Sequence, residues 1–236
     1  MANFNTLLAT CLTLISFTAA EIWVAESAAT ELPAELSAAQ YRELGLQYRQ
    51  AAQLPESLAA LQKAVELDPH HLLGQVTLGW TQHLAKQDRA AASTLQTTLR
   101  QDPLHVPALN ALGIVYLVND DLLGAVLTHS WAAWLAPENE IAYYNLSLAW
   151  QRLEQYDWAI QAAQRAIQRD PENPHPLLAL AIAEWKQGNP SVARQTYQRA
   201  IDLDARYAEA DFLNFLREAG FNTQQIQTSK QVLQGL

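Results

Sequence analysis

The sequence predicts an all-α protein in which pairs of antiparallel helices stack into a superhelical solenoid. Three observations favour this fold class. Prolines recur every 34 residues, and leucines and small residues recur at fixed positions between them. The composition also favours helix, because alanine, leucine and glutamine abound and only 8 of the 236 residues are glycine. Half of the residues are hydrophobic, which is sufficient for a substantial core.

The repeat is defined by Pro69, Pro103, Pro137 and Pro171, each 34 residues after the one before, with Ala205 at the next position of the series. Proline cannot donate a hydrogen bond in a helix interior and disfavours helix at the preceding residue, so it ends a helix at the same place in each unit. The five predicted units are residues 38–71, 72–105, 106–139, 140–173 and 174–207.

Each unit is predicted to contain two antiparallel helices of about 14 residues, joined by a short turn. The seventh position is leucine in all five units, and the eighth is glycine, serine or alanine. The twentieth and twenty-seventh positions are also small. Small side chains allow two helix backbones to approach closely, while leucines and aromatics fill the remaining space. Because the units have equal lengths, each adds the same rotation and the stack curls.

This pattern resembles the tetratricopeptide repeat family over residues 38–207. The resemblance implies a right-handed superhelical solenoid of helix pairs. Two units depart from the family pattern, since Gln82 and Glu184 replace the aromatic residue of the eleventh position. Residues 208–236 are predicted to form capping helices with a polar outer face, and Asn222 is the predicted N-cap of the last one.

In this family the first helix of each unit lines a concave groove, and its second, fifth, ninth and twelfth positions face inward because they share one helix face. Carried over to this chain, the resemblance implies a largely apolar and aromatic groove that suits an amphipathic helix or an extended apolar segment of a partner protein. The predicted lining residues are Arg42, Arg49, Val76, Trp80, His83, Asn110, Ile114, Leu117, Tyr144, Asn145, Leu148, Gln151, Leu178, Ile182 and Trp185, with Phe212 from the cap.

Two alternatives remain within this groove. Trp80 and Trp185 are interpreted either as partner contacts or as residues that seal gaps between neighbouring units. The family's chaperone-binding members hold a C-terminal carboxylate with lysine, asparagine and arginine. The corresponding positions here include Leu46, Thr77 and Ala111, so no such carboxylate clamp is expected.

Several bulky residues fall outside the groove. Trp131 and Trp134 occupy positions that are polar or charged in every other unit, so both are expected on the outer, convex face. There they form a second contact surface for a partner subunit or membrane, or they are covered by the N-terminal linker or a neighbouring helix. Trp150 and Trp158 are predicted to be core residues, and His129 is predicted to be a core histidine.

Several classes of function are not expected. The formal net charge is -9 and no block of lysine and arginine occurs, which argues against a nucleic-acid partner. The sequence carries no HExxH, CxxC or glycine-rich phosphate loop, and its single cysteine, Cys11, precedes the repeats. The histidines near the unit junctions are interpreted as turn residues and not as metal ligands. We therefore expect no catalytic site, metal or cofactor.

Residues 1–29 are predicted to be a signal peptide or membrane anchor, followed by a linker over residues 30–37. The apolar run of residues 7–20 has the length of a signal-peptide core. These features favour repeats held outside the cytoplasm or at a membrane. The cytoplasm is the alternative, because the first basic residue is Arg42 and the usual basic start is missing.

The predicted function is a non-enzymatic scaffold or assembly factor, and the alternative is a permanent structural subunit of an oligomeric or membrane complex. The layout of a short apolar leader and five repeats resembles membrane-tethered repeat proteins that assist the assembly of photosystems or chlorophyll enzymes.

Overall fold

The structure is a computed structural model that describes residues 36–236, so the predicted leader, residues 1–29, lies outside the described residues. The described part is helical and contains no strand. Its α-helices are α1 (Ala38–Gln50), α2 (Leu54–Leu67), α3 (Leu72–Leu84), α4 (Asp88–Gln101), α5 (Val106–Val118), α6 (Leu122–Leu135), α7 (Glu140–Arg152), α8 (Tyr156–Arg169), α9 (Pro174–Lys186), α10 (Pro190–Leu203) and α11 (Thr223–Gln234).

The first ten helices repeat with the predicted period. The odd-numbered helices α1 to α9, called A helices, begin at residues 38, 72, 106, 140 and 174, and each has 13 residues. Each is followed by a B helix of 14 residues. Every helix packs against the next one in the chain, and each A helix from α3 onward also contacts the next A helix. The predicted α-solenoid is confirmed.

The turns between units are capped by side chains at the same position. Nδ1 of His71 accepts the backbone N–H of Gly74 at 2.9 Å, and Nδ1 of His105 accepts that of Ala108 at 3.3 Å. These contacts add a side-chain acceptor to N–H groups of the first helical turn, each of which also donates to the backbone carbonyl of the same histidine. Two junction histidines therefore serve as N-cap residues.

The small residue at the eighth position is required by close helix packing. A Cβ atom on Gly79 would lie 2.8 Å from Cγ of Leu95, and one on Gly113 would lie 2.5 Å from Nε2 of His129. His129 is fully buried, as predicted for a core histidine. Burial lowers the pKa of His129 to about 4, and the adjacent Gly113 backbone offsets only part of this effect.

The last part of the chain departs from the repeat. The first of the predicted capping helices is absent. The chain instead forms two short 3₁₀ helices there, Ala205–Ala208 and Phe212–Arg217. The predicted N-cap is confirmed, because Asn222 and Gln225 form a reciprocal capping box at the start of α11. Helix α11 then packs against both α9 and α10.

Candidate functional site

The concave face is formed by the A helices, and its exposure changes along the stack. At the ninth position of the units, Trp80 and Ile114 are half-buried, whereas Leu148 and Ile182 are almost completely buried. At the fifth position, Val76 of unit 2 is half-buried, but its counterpart in unit 5, Leu178, has no exposed surface. The face is thus open in units 1 and 2 and at Ile114 in unit 3, and it is largely covered from Leu117 in unit 3 onward.

The chain's own C-terminal segment, residues 205–236, provides the cover. Gly220 lies so close to the A helices that an added Cβ would be 3.5 Å from Leu148 and 4.0 Å from Leu117. Phe221 and Ile226 follow it and belong to the same hydrophobic core as the A-helix leucines. The segment therefore extends over the concave face as far as the third unit.

Arg152, at the end of α7, anchors this segment. Its Nη2 donates to the carbonyl oxygen of Gly220 at 2.5 Å, and its Nε donates to Oε1 of Gln225 at 3.2 Å. Its Nη1 donates to the carbonyl oxygen of Leu117 at 2.5 Å and lies 3.4 Å from the carboxylate of Asp120. The side chain is only 6% exposed, and this burial lowers the pKa of Arg152, an effect that Asp120 opposes.

Two further side chains complete the anchor. The hydroxyl of Tyr144 donates to the carbonyl oxygen of Ala219 at 2.5 Å, and burial raises the pKa of Tyr144 well above its usual value. Nε2 of Gln225 is 3.3 Å from the carbonyl oxygen of Leu148 and 3.2 Å from Oε1 of Gln151. The segment thus combines apolar contacts with hydrogen bonds from amide and hydroxyl groups to backbone carbonyls.

This arrangement corrects the predicted groove in its C-terminal half. Leu117, Leu148, Leu178 and Ile182 lie on A helices as expected, but they are buried and not presented to a partner. The predicted role of Asn145 is also corrected, because its Nδ2 donates to a backbone carbonyl of its own helix. The physical reason is that other parts of the same chain already contact these side chains. The leucines and the isoleucine pack in the hydrophobic core, and the amide of Asn145 is hydrogen-bonded within α7.

Gln151, Trp185 and Phe212 complete the predicted C-terminal lining. Gln151 is buried, and its Nε2 donates to the carbonyl oxygen of Ala179 at 3.1 Å. Trp185 and Phe212 stay half-buried at the edge of the covered region. Phe212 packs edge-on against Tyr207 with ring centroids 5.1 Å apart. These two aromatic rings keep part of their surface available.

The N-terminal half of the concave face remains accessible. A cavity of about 300 Å³ lies between α1 and α3, with Arg42, Leu46 and Thr77 in its lining. Arg42 pairs with Asp68 at 3.4 Å, and Nη1 of Arg49 lies 3.5 Å from the hydroxyl of Thr81. Both predicted arginines thus lie at this end of the face, and both contact groups of their own chain.

The middle of the open face combines aromatic, apolar and amide groups. Trp80 packs beside His83 with ring centroids 5.3 Å apart. His83 itself is turned toward the next helix, where its Nδ1 is 2.6 Å from Oδ1 of Asp88, so its predicted lining role is limited. The amide oxygen of Asn110 has no hydrogen-bond partner among the described residues. This oxygen is itself buried, so it does not reach the open surface of the face.

The convex face carries the two predicted outer tryptophans. Trp131 is 47% exposed and Trp134 is 72% exposed, and their ring centroids are 5.7 Å apart. Both are exposed among the described residues, as their outer position in the register suggests, and within residues 36–236 no element covers them. The alternative that the N-terminal linker covers them concerns residues 30–37, of which all but the last two lie outside the described residues. Leu123 and Leu127, two turns and one turn before Trp131 on α6, are more than half exposed. One face of α6 therefore presents four large apolar side chains, with the small Ser130 as the exposed polar residue among them.

The prediction that Trp158 is a core residue is wrong, since 57% of it is exposed. Trp158 stands beside the half-buried Trp150, with ring centroids 6.2 Å apart. Its nineteenth position in the unit corresponds to Glu56 and Gly124 elsewhere, so the register already distinguishes it from a packing position. The B helices α6 and α8 leave a gap here, and the exposed ring forms part of its wall.

We call this gap the tryptophan groove. It has a volume of about 470 Å³. Its walls come from α6 and α8 and its floor from α7. It is lined by Ser130, Ala133, Trp134, Pro137, Tyr143, Leu146, Trp150, Trp158, Gln161, Ala162 and Arg165. The sequence register indicates that this groove is specific to units 3 and 4, because no other pair of adjacent units places three tryptophans at these positions.

The residues that the structure describes contain neither a metal-binding cluster nor a helix that could span a membrane. Between residues 36 and 236, no three histidine, cysteine, aspartate or glutamate side chains come together as a metal ion requires. Within the same range, no helix combines the length and apolar character needed to span a bilayer. Two concave surfaces stand out in this part of the chain. They are the open concave face and the tryptophan groove.

The fold and these surfaces define a helical-repeat solenoid with an elongated binding face. A tetratricopeptide repeat family model matches residues 151–213. A curated relative, small glutamine-rich tetratricopeptide repeat-containing protein 2 of Saccharomyces cerevisiae, is 31% identical over 88 residues, which is 37% of this chain and 25% of the relative. The match thus spans a quarter of that relative's length. Over residues 151–213 this chain is thus similar to the tetratricopeptide repeat family, whose members generally mediate protein–protein interaction.

Solved structures share the fold. A crystal structure of MamA protein aligns with a TM-score of 0.63 at 21% identity, covering 73% of this chain and 94% of that chain. A MamA fragment from Desulfovibrio magneticus RS-1 aligns with a TM-score of 0.65 at 21% identity, covering 71% of this chain and 95% of that one. At this identity the likeness concerns the solenoid itself.

Proposed function

We propose that this protein is a non-enzymatic scaffold that binds a segment of a partner protein on the concave face of units 1 to 3. One observation carries the proposal: the same face of units 4 and 5 already holds a peptide segment, residues 205–236 of this chain. The corresponding positions of units 1 to 3, including Val76, Trp80 and Ile114, remain half-exposed. Equivalent positions of successive repeats present similar shapes, so they accept similar ligands.

The bound segment also indicates the chemistry of the partner. Helix α11 directs Ile226 and Val232 into the core and uses Gln225 to bind a backbone carbonyl of α7. An amphipathic helix with apolar residues on one face and an amide donor among them fits this pattern. An extended apolar segment is the other ligand that this face accommodates.

Site-specific photocrosslinking in the full chain tests this proposal. Benzoylphenylalanine is introduced in place of Trp80 or Ile114 on the concave face, and in place of Arg89 on the outside of α4 as a matched control. We expect the two concave positions to capture the same partner segment and position 89 not to capture it. Equal capture at all three positions, or no capture at the concave ones, would show that the open face is not the binding site.

The cellular setting is a separate part of the proposal. We place the scaffold outside the cytoplasm or at a membrane, where it assists the assembly of a membrane complex, photosynthetic membranes included. The support is the sequence of residues 1–29 and the layout of leader and repeats. Mass spectrometry of the mature N-terminus tests this placement. Cleavage within residues 18–29 supports export, and an intact N-terminus in the cytosolic fraction contradicts it.

The alternative function, a permanent subunit of a larger complex, is favoured by the exposed apolar face of α6. Such a surface is costly in a protein that spends long periods alone in water. Sedimentation of the purified full chain distinguishes the two functions. A stable, soluble monomer over a wide concentration range supports the scaffold, and obligatory co-purification in a fixed ratio with another protein supports the subunit.

A further inference from the structure

The outer face of α6 differs chemically from the outer faces of the other B helices. Its large outward side chains are Leu123, Leu127, Trp131 and Trp134, with the small Ser130 among them. The same positions of α4 are Arg89, Ser93, Thr97 and Arg100. The same positions of α8 are Asp157, Gln161, Arg165 and Gln168. An apolar stripe between two polar helices is typical of a surface that a partner covers and shields from water.

The tryptophan groove extends this stripe sideways into a concavity. Trp134 belongs to both, since it ends the stripe and forms one wall of the groove, opposite Trp158. A volume of about 470 Å³ admits bulky side chains, and its floor of Tyr143, Leu146 and Trp150 is aromatic and aliphatic. A protruding apolar side chain of a partner fits such a pocket, and pockets of this type hold the residues that dominate binding energy.

The charge at this surface restricts the partner further. Arg165 is the only charged residue in the lining of the groove, and its guanidinium lies 5.6 Å from the centroid of the Tyr143 ring. Among the described residues it forms no ion pair, although its neighbour Arg169 pairs with Glu138 at 3.2 Å. A carboxylate on the partner complements this exposed, unpaired cation.

We propose that the tryptophan groove and the outer face of α6 form a second docking surface, which binds the apolar face of a partner-protein helix that carries a carboxylate beside Arg165. This surface is opposite to the concave face and independent of the function proposed above. A second copy of this chain is a poorer occupant, because a two-fold interface pairs the surface with itself and supplies no carboxylate from the groove lining. A bilayer is also poorer, since the net charge of -9 opposes anionic lipid and a flat surface leaves the groove empty.

The test uses the full chain and three fluorescein-labelled helical peptides of identical sequence except for charge. Each carries leucine and tryptophan on one face, and the residues flanking that face are glutamate, glutamine or lysine. The first variant, Trp131→Thr with Trp134→Arg, gives α6 the residues that α4 has at these positions. The second, Arg165→Glu, reverses the charge in the groove. Val192→Ala, an exposed position on α10 outside both surfaces, is the control, because unit 2 has alanine at that position.

We expect the glutamate peptide to bind best in fluorescence anisotropy, and the double variant to bind it about tenfold or more weakly. Arg165→Glu is expected to reverse the preference toward the lysine peptide, and Val192→Ala to bind like the wild type. Equal binding by all variants, or loss of binding in Val192→Ala alone, overturns the proposal. These outcomes are independent of photocrosslinking at the concave face, so failure of one proposal is distinguishable from failure of the other.

Two further measurements address the other occupants. Sedimentation velocity that finds dimers of the wild type and monomers of the double variant would assign the surface to a second copy. Flotation with vesicles of phosphatidylcholine, alone or mixed with phosphatidylglycerol, that depends on Trp131 and Trp134 would assign it to a membrane. Either result overturns the proposal, and a monomer that does not bind vesicles but binds the glutamate peptide supports it.

Discussion

Nη2 of Arg152 donates a hydrogen bond to the carbonyl oxygen of Gly220 at 2.5 Å, across 68 positions of sequence. This bond ties the last turn of α7 to the C-terminal segment and places a buried cation where the segment crosses the concave face. The same guanidinium also binds the carbonyl oxygen of Leu117. One side chain thus links the third unit, the fourth unit and the C-terminal segment.

Arg152→Met is expected to destabilise the protein by about 2–4 kcal/mol, because it removes several charge-assisted hydrogen bonds and leaves the carbonyl oxygen of Gly220 without its side-chain donor. Urea unfolding measures this loss. Hydrogen exchange should accelerate most in residues 205–236. Arg49→Met is the control, since Arg49 contributes only a long hydrogen bond of 3.5 Å. Equal losses in both variants would contradict the anchoring role of Arg152.

Tyr144→Phe removes the hydroxyl that binds the carbonyl oxygen of Ala219. We expect a loss of about 1–2 kcal/mol in the free energy of unfolding, because the ring still packs against Phe221 while a buried acceptor loses its donor. Tyr143→Phe on the opposite side of α7 is the matched control and should have little effect. A combined Tyr144→Phe and Arg152→Met variant measures their coupling, and purely additive losses would argue against a shared anchor.

His129 is expected to make stability depend on pH. Its folded-state pKa of about 4 lies below the ordinary value of 6.5, so its stabilising contribution is fully present above pH 6.5 and is lost as the pH falls toward 4. The loss amounts to about 3 kcal/mol. His129→Leu, which reproduces the Gly79–Leu95 pair of unit 2, should abolish it.

Urea unfolding at pH 7.5 and pH 4 measures this dependence, with the exposed His70→Gln as control. Burial raises the pKa of Glu184, whose effect therefore has the opposite sign, and the comparison of variants at each pH cancels it. If His129→Leu loses as much stability on acidification as the wild type, another group is responsible.

Gly113→Ser is expected to destabilise the protein by about 1–3 kcal/mol, because its Cβ would collide with the His129 ring. His129→Ala alone should also destabilise, by creating a cavity. The double variant reproduces the Ser147–Ala163 pair found at the same positions of unit 4. We therefore expect it to be more stable than the sum of the single effects by about 1 kcal/mol or more, as measured in a double-mutant cycle.

The sequence was sufficient to predict features that depend on neighbouring repeats. The proline series, the leucine position and the small eighth position all concern contacts within a unit or between adjacent units, and these contacts recur every 34 residues. The register also placed Trp131 and Trp134 at outer positions, since an outer position of a B helix is recognisable by comparison with four other units.

The tertiary structure alone decided how the C-terminal segment is used. Its sequence is amphipathic, as expected for a cap, but amphipathicity does not specify which apolar surface it covers. That choice depends on contacts between residues about 70 positions apart, such as Arg152 with Gly220, which have no periodic signature. The same reason applies to the tryptophan groove, where Trp134 and Trp158 come from different units. Local patterns encode the repeated contacts of a solenoid, whereas single long-range contacts are decided by how the whole stack curves.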